Sequence, residues 1–142
     1  MMAFQFINPT SGWNSLYGAA IARFAHGLLV ISSPDSVDAH SDWDPSVEPI
    51  HAGPDSIYVS VQQAVSGPVA VTCVVGPHVP ERLDLLYSGT IELSRPTLSV
   101  YDPNGAVNLQ LPVEERINRI EIYGDDPDES EQLVVVLTGR TE

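Results

Sequence analysis

From Asp55 onward, apolar residues return at every second position in short runs, and each run is cut off by glycine, proline or small polar residues. A period of two marks a strand with one face toward a core, and runs this short between turn signals favour strands over helices. Ile57, Val59 and Val61 alternate with Tyr58, Ser60 and Gln62, and Val69, Val71, Cys73 and Val75 alternate with Ala70, Thr72 and Val74. The Ser66-Gly67-Pro68 turn between them predicts an antiparallel hairpin. Leu85 to Leu93 reads as the next strand, with Gly89 as a bulge or a point of close approach. Leu98 and Val100, the turn Asp102-Pro103-Asn104-Gly105, and Val107, Leu109 and Leu111 predict a second hairpin. Ile120 and Ile122 give Asn118 to Gly124 an inward face, and Gln132 to Thr138 is nearly unbroken apolar sequence, as in a strand covered on both faces. With a strand at Leu28 to Ser32, these make seven or eight strands. They imply an all-β, mainly antiparallel fold, two sheets packed as a β-sandwich, with a barrel as the alternative closure.

The first third reads differently. Asn8 to Gly12 is a turn cluster. Asn14 to His26 is expected to form a short N-terminal helix capped by Asn14 or Ser15, although Ile21 and Phe24 fit an extended strand as well. Residues 33–55 hold four prolines and five aspartates, so a long acidic loop without regular structure is expected there. Long loops in compact domains are uncommon and are often functional.

The 142 residues suit one domain, 1–142, and 43% hydrophobic residues supply a core without staples. Cys73 is the single cysteine, which excludes an internal disulfide or a thiolate zinc cluster and fits a reducing, cytoplasmic setting. The opening MMAFQFINPT has no basic residue ahead of its apolar stretch, and the run Gly27 to Ile31 is far too short to cross a bilayer. No export signal or membrane anchor is expected.

Nineteen carboxylates face six arginines and no lysine, a formal net charge of −13. Such a field repels phosphate, which argues against nucleic acid and anionic membrane as partners, and it speeds encounter with a basic protein. Solubility is the plainer use of the same charge.

Three constellations stand out. Asp38, His40, Asp42 and Asp44 recur at every second position, with His51 soon after, so an extended segment would place them on one face as potential metal ligands. Neither a calcium-loop nor a zinc-helix motif accompanies them, and a solvated polar loop explains them equally; no cofactor is implied. Asp125, Asp126, Asp128 and Glu129 form the densest acidic run, either a contact patch or a solubilising turn that keeps strand edges apart. Trp43, between Asp42 and Asp44, would serve as an interface anchor or fold back as a lid. Cys73 falls on the apolar register of its strand, where a thiol is inert, and the sequence carries no nucleophile elbow, phosphate loop or dinucleotide fingerprint. An enzyme is therefore not the expected reading.

The strand ending near Ser33, the loop bearing Trp43-Asp44, the segment Asp55 to Val61 (DSIYVSV) and the late stretch Leu111 to Tyr123 together resemble the competence protein J family, whose members are small acidic inhibitors of a partner nuclease. The resemblance extends in outline to immunity proteins paired with bacterial toxins. It departs from the family pattern before Leu28 and at Val113-Glu-Glu-Arg, so no inhibitory residue is carried over. It implies a protein that neutralises a nuclease or toxin; the charge pattern itself, read as a surface for a basic partner, offers Asp42, Trp43, Asp44, Asp125, Asp126, Asp128 and Glu129 as the expected contact residues. The alternatives are a metal- or small-ligand-binding β-sandwich and an assembly subunit.

Overall fold

A computed structural model describes residues 16–139; the turn cluster at Asn8 to Gly12 and the caps expected at Asn14 and Ser15 lie outside them. The elements are β1 (Leu16–Ala22), β2 (Leu28–Ser32), β3 (Ile50–Ala52), β4 (Ser56–Ser60), β5 (Val69–Val75), β6 (Asp84–Glu92), β7 (Thr97–Tyr101), β8 (Asn108–Pro112), β9 (Ile117–Gly124) and β10 (Gln132–Gly139). They form two five-stranded sheets, ordered β1-β5-β10-β9-β6 and β3-β4-β2-β7-β8. Neighbours are antiparallel except β5 and β10, which run parallel. Leu29, Ile31, Ile57, Val59 and Val100 of one sheet and Val71, Cys73, Ile120, Ile122 and Val135 of the other share a single buried cluster. The fold is thus the expected β-sandwich, with ten strands among the described residues instead of seven or eight.

The two additional strands correct two expectations. The segment expected as a helix is β1, because β5 would otherwise leave one edge unpaired: Ala19 to Ala22 pair with Thr72 to Val69. Ala20 and Ala22 pack on the core while Ile21 between them faces outward, and an irregularity between Leu16 and Gly18 brings Tyr17 to the core as well. Tertiary pairing overrides a helix preference of only a few tenths of a kcal/mol per residue. In the acidic loop, Ile50 to Ala52 add a short edge strand to β4 in place of an unbroken irregular stretch.

A third correction concerns pairing. β4 and β5 do not form a hairpin; they lie in different sheets, and a one-turn 3-10 helix at Ala64–Ser66 with Gly67 at φ 142° carries the chain between them. Alternation specifies which face a strand buries and leaves its neighbour undetermined. The hairpin β7–β8 forms as expected, around Gly105 at φ 80°. The irregularity in β6 falls between Leu85 and Tyr87; Gly89 is instead where the Tyr87 side chain lies so close that a Cβ would collide with it.

β10 is covered on both faces, as its composition predicts. Leu133, Val135 and Leu137 enter the main core, and Val136 packs on the outer side with Val74, Tyr123, Val134 and Leu83. The outer face of the other sheet is covered near Tyr58 by the 33–49 connection, which sets up the site.

Candidate binding cleft

At the end of the sandwich where β2 begins and β4 finishes, four connections meet around a cleft of about 490 Å³. Its walls include Gly27, Gln63, Trp43, Ser46, Asp128 and Glu129. Two stretches that the sequence offers as separate candidates, the Trp43 loop and the 125–131 acidic run, therefore border one space.

Each wall has a local cause. Gly27, at φ 60°, makes the tight β1–β2 turn: its N–H donates to the Phe24 carbonyl at 3.0 Å, and its own carbonyl accepts the Val61 amide at 2.9 Å. A Cβ there would come within 2.9 Å of the Val61 carbonyl oxygen, so the close approach requires glycine. The acidic connection is drawn in by Ser130, which is fully buried. Its carbonyl accepts the Gln62 amide at 3.2 Å, and its hydroxyl donates to the Asp126 carbonyl at 2.5 Å and accepts the Asp126 amide at 3.2 Å.

Trp43 is half-buried. Its indole N–H donates to the Glu48 carbonyl, its amide donates to the His40 carbonyl at 3.0 Å, and its ring meets Tyr58 edge-on with centroids 5.5 Å apart. Of the two expected alternatives the structure shows the second, the ring folding back on the sheet, with one side left bordering the cleft. His40 is the inner member of this group, 4% exposed and stacked on Tyr58 at 3.8 Å. Its φ of 52° turns the chain, so Asp38, His40, Asp42 and Asp44 do not share the face that an extended segment would give them.

The imidazoles of His40 and His51 meet through their Nδ1 atoms at 2.7 Å, and His40 Nε2 lies 2.9 Å from the Ser56 hydroxyl. Asp38 lies 3.5 Å from His40 Nε2, and Asp42 lies 3.5 Å from His51 Nε2. Burial is the largest influence on His40 and holds its pKa below the ordinary histidine value, against the upward pull of Asp38. The potential metal ligands thus spend their nitrogens on each other, and Asp44 is engaged elsewhere. Among the described residues no group of three or more His, Cys, Asp or Glu side chains is arranged to hold a metal ion.

The acidic residues divide by task. Asp44 caps its own turn, accepting the hydroxyl and amide of Ser46, and these hold its pKa down. Asp126 accepts the amides of Asp128 and Glu129, which lower its pKa likewise, and Asp125 accepts those of Glu131 and Gln132. Of the seven expected contact residues, Trp43, Asp128 and Glu129 line the cleft; Asp42, Asp44, Asp125 and Asp126 shape the loops that present them. Among the described residues the arginine–carboxylate pairs are Arg95–Asp35, Arg116–Glu92 and Arg119–Glu121, none of which includes a residue lining the cleft. The Arg23 guanidinium donates to the Ala64 carbonyl of the β4–β5 connection. His26, Gln63 and Ser66 also face the cleft and belong to no motif; only the meeting of β1–β2 and β4–β5 connections reveals them.

Fold and site together define a ten-stranded β-sandwich with a loop-built, partly acidic cleft at one end. Among solved structures the chain is similar to ComJ from Bacillus subtilis, an inhibitor of the DNA degrading activity of NucA, with a TM-score of 0.69 and 6% identity over 88% of this chain and 97% of that one. It is also similar to the crocagin biosynthetic gene J protein, with a TM-score of 0.57 and 12% identity over 89% of this chain and 97% of that one. At such identities the likeness is one of fold, and it bears out the resemblance to the competence protein J family at that level. No protein-family model and no curated protein sequence matches the chain.

Proposed function

We propose that this protein is a non-catalytic inhibitor of the immunity type, which binds a basic nuclease or toxin at the cleft bordered by Trp43, Asp128 and Glu129. The observation that carries the reading is the convergence of an aromatic ring and two carboxylates from distant parts of the chain on one concave surface. An aromatic anchor beside negative charge suits a cationic surface, since the ring supplies buried area and the carboxylates steer and orient the encounter. The fold shared with an inhibitor of DNA degradation supports the same reading. Cys73, the single thiol of the sequence, is 2% exposed with its pKa pushed up to about 12 by burial, which fits a protein that uses no thiol chemistry.

The test is DNA degradation by a panel of basic nucleases and nuclease toxins, drawn first from any encoded near this protein, assayed with and without the purified protein. The expected result is stoichiometric inhibition that weakens as salt rises from about 50 to about 300 mM, because exposed charges are screened over a Debye length of about 10 Å or less in that range. Inhibition that is absent, or that ignores salt, refutes the proposal.

A further inference from the structure

We propose that the facing pair His40–His51 is an acid-operated latch: when both rings carry a charge their contact breaks, the 38–48 loop swings off the sheet, and Trp43 leaves the cleft. The inference rests on the reading of that cleft as the binding site and adds its regulation.

The argument is one of proton counting. Two Nδ1 atoms 2.7 Å apart share one proton, one ring donating and the other accepting. The four ring nitrogens can therefore hold at most three protons while the contact lasts. Two or three fit the surroundings. With two protons His40 donates at the centre, its bare Nε2 accepting the Ser56 hydroxyl while His51 Nε2–H faces Asp42; with three, either ring can donate, because both outer nitrogens then carry a proton toward Ser56, Asp38 or Asp42. A fourth proton makes both rings imidazolium and points two N–H groups at each other, which no tautomer relieves.

The groups around the pair fix where this happens. The 33–49 connection contributes Asp38 and Asp42, β3 contributes His51, the start of β4 contributes Asp55, Ser56 and Tyr58, and β7 contributes Tyr101 behind Tyr58. Asp38, Asp42 and Asp55 favour the first added proton. For His40, burial and the charge of His51 oppose a proton more strongly than Asp38, Asp42 and Asp55 favour it, so His40 becomes charged only below the ordinary histidine range.

The mechanical link to the cleft is short. The His40 carbonyl holds the Trp43 amide at 3.0 Å, and Tyr58 carries His40 on its face and Trp43 against its edge. Asp38 steadies the turn by accepting the His40 amide at 2.9 Å, its carboxylate lying where any side chain on Gly53 would be. Release of His40 removes the contacts that seat Trp43. Each proton taken up on opening shifts the latch equilibrium by up to about tenfold per pH unit.

Trp13→Phe leaves Trp43 as the sole tryptophan reporter. Its emission is expected to move to longer wavelength between about pH 7.5 and about pH 5 while far-ultraviolet circular dichroism stays constant. In the same background His51→Gln supplies an amide oxygen that accepts the His40 Nδ1–H and cannot gain a proton, so the transition should vanish. Imidazole resonances of the wild-type protein should show two coupled steps, the second displaced to lower pH. Emission that stays constant with pH, a transition unchanged in His51→Gln, or two independent single-proton titrations would overturn the latch. If Trp43 moves as stated but inhibition of the partner nuclease is the same at both pH values, the latch stands and the assignment of the cleft falls.

Discussion

Ser130→Ala isolates the tie between the acidic connection and the sheet. The substitution removes one buried oxygen and keeps the shape of the site, where Gly124 is already too close to accept a larger group without moving its neighbours. Two hydrogen bonds are lost, both to the backbone of Asp126. A typical intramolecular hydrogen bond contributes about 1 kcal/mol net, and a buried group left unpaired costs about 1–3 kcal/mol. Asp126 is exposed, so water can replace its lost partners, and the expected total is about 1–2 kcal/mol. For a domain of this size that corresponds to a fall in Tm of about 3–8 °C. Urea unfolding should show a lower midpoint with an unchanged m-value, since the surface exposed on unfolding is the same. Hydrogen exchange should quicken at the Asp128 and Glu129 amides, which are held by the Asp126 carboxylate, and stay slow in β9 and β10. An unchanged midpoint with unchanged exchange at these two amides would falsify the account, because the loop would then be positioned by something other than this hydroxyl.

Two further outcomes are expected. Asp128→Asn with Glu129→Gln should leave the unfolding midpoint within about 0.5 kcal/mol of wild type, because both carboxylates are exposed and neither is paired with an arginine among the described residues, yet weaken inhibition about tenfold and flatten its salt dependence; a stable double variant that inhibits normally places the contact elsewhere. Stability itself should fall with acidity above the carboxylate range. The folded-state pKa of His40 lies below its ordinary 6.5, so between those two values the unfolded chain binds the proton first, and stability is full above pH 6.5 and declines as pH drops through that window. For one proton the slope cannot exceed about 1.4 kcal/mol per pH unit, and urea unfolding at a series of pH values, with a flatter curve for His40→Gln, measures it.

The parts of the molecule legible in the sequence are those set by local patterning. Ile57, Val59, Val71, Cys73, Ile120 and Ile122 were assigned to the core by alternation, and all are buried together. β10 announced its two covered faces by composition. What escaped was decided by partners distant in the chain. β1 is a strand because β5 lacks a neighbour without it, and β4 and β5 separate into different sheets because β10, more than fifty residues downstream of β5's last residue, takes the place beside β5. The candidate site shows the same division. Trp43 and the acidic run were visible as unusual residues, but their shared cleft depends on a bridge between Val61 and Ser130 that no local rule encodes. The histidine pair was visible as two potential ligands. Only the pairing of His51 with Tyr58 across β3 and β4, together with the left-handed turn at His40, brings their Nδ1 atoms face to face.

The fold alone does not select among functions, since one β-sandwich of this outline inhibits DNA degradation and another is named for crocagin biosynthesis. Net charge does not select either, because carboxylates lie on several connections, Glu114 and Glu115 among them at the opposite end of the sandwich. The discriminating feature is what the carboxylates are doing. Asp35, Glu92 and Glu121 are answered by arginines, and Asp44, Asp125 and Asp126 are consumed in folding their own turns. Asp128 and Glu129 do neither, and they stand on a loop pinned by a buried serine beside an aromatic ring that is itself held by two histidines and a tyrosine. Two like charges held on one exposed loop repel each other modestly in water, and a cation brought to them would relieve that repulsion, which is the property the proposed function uses.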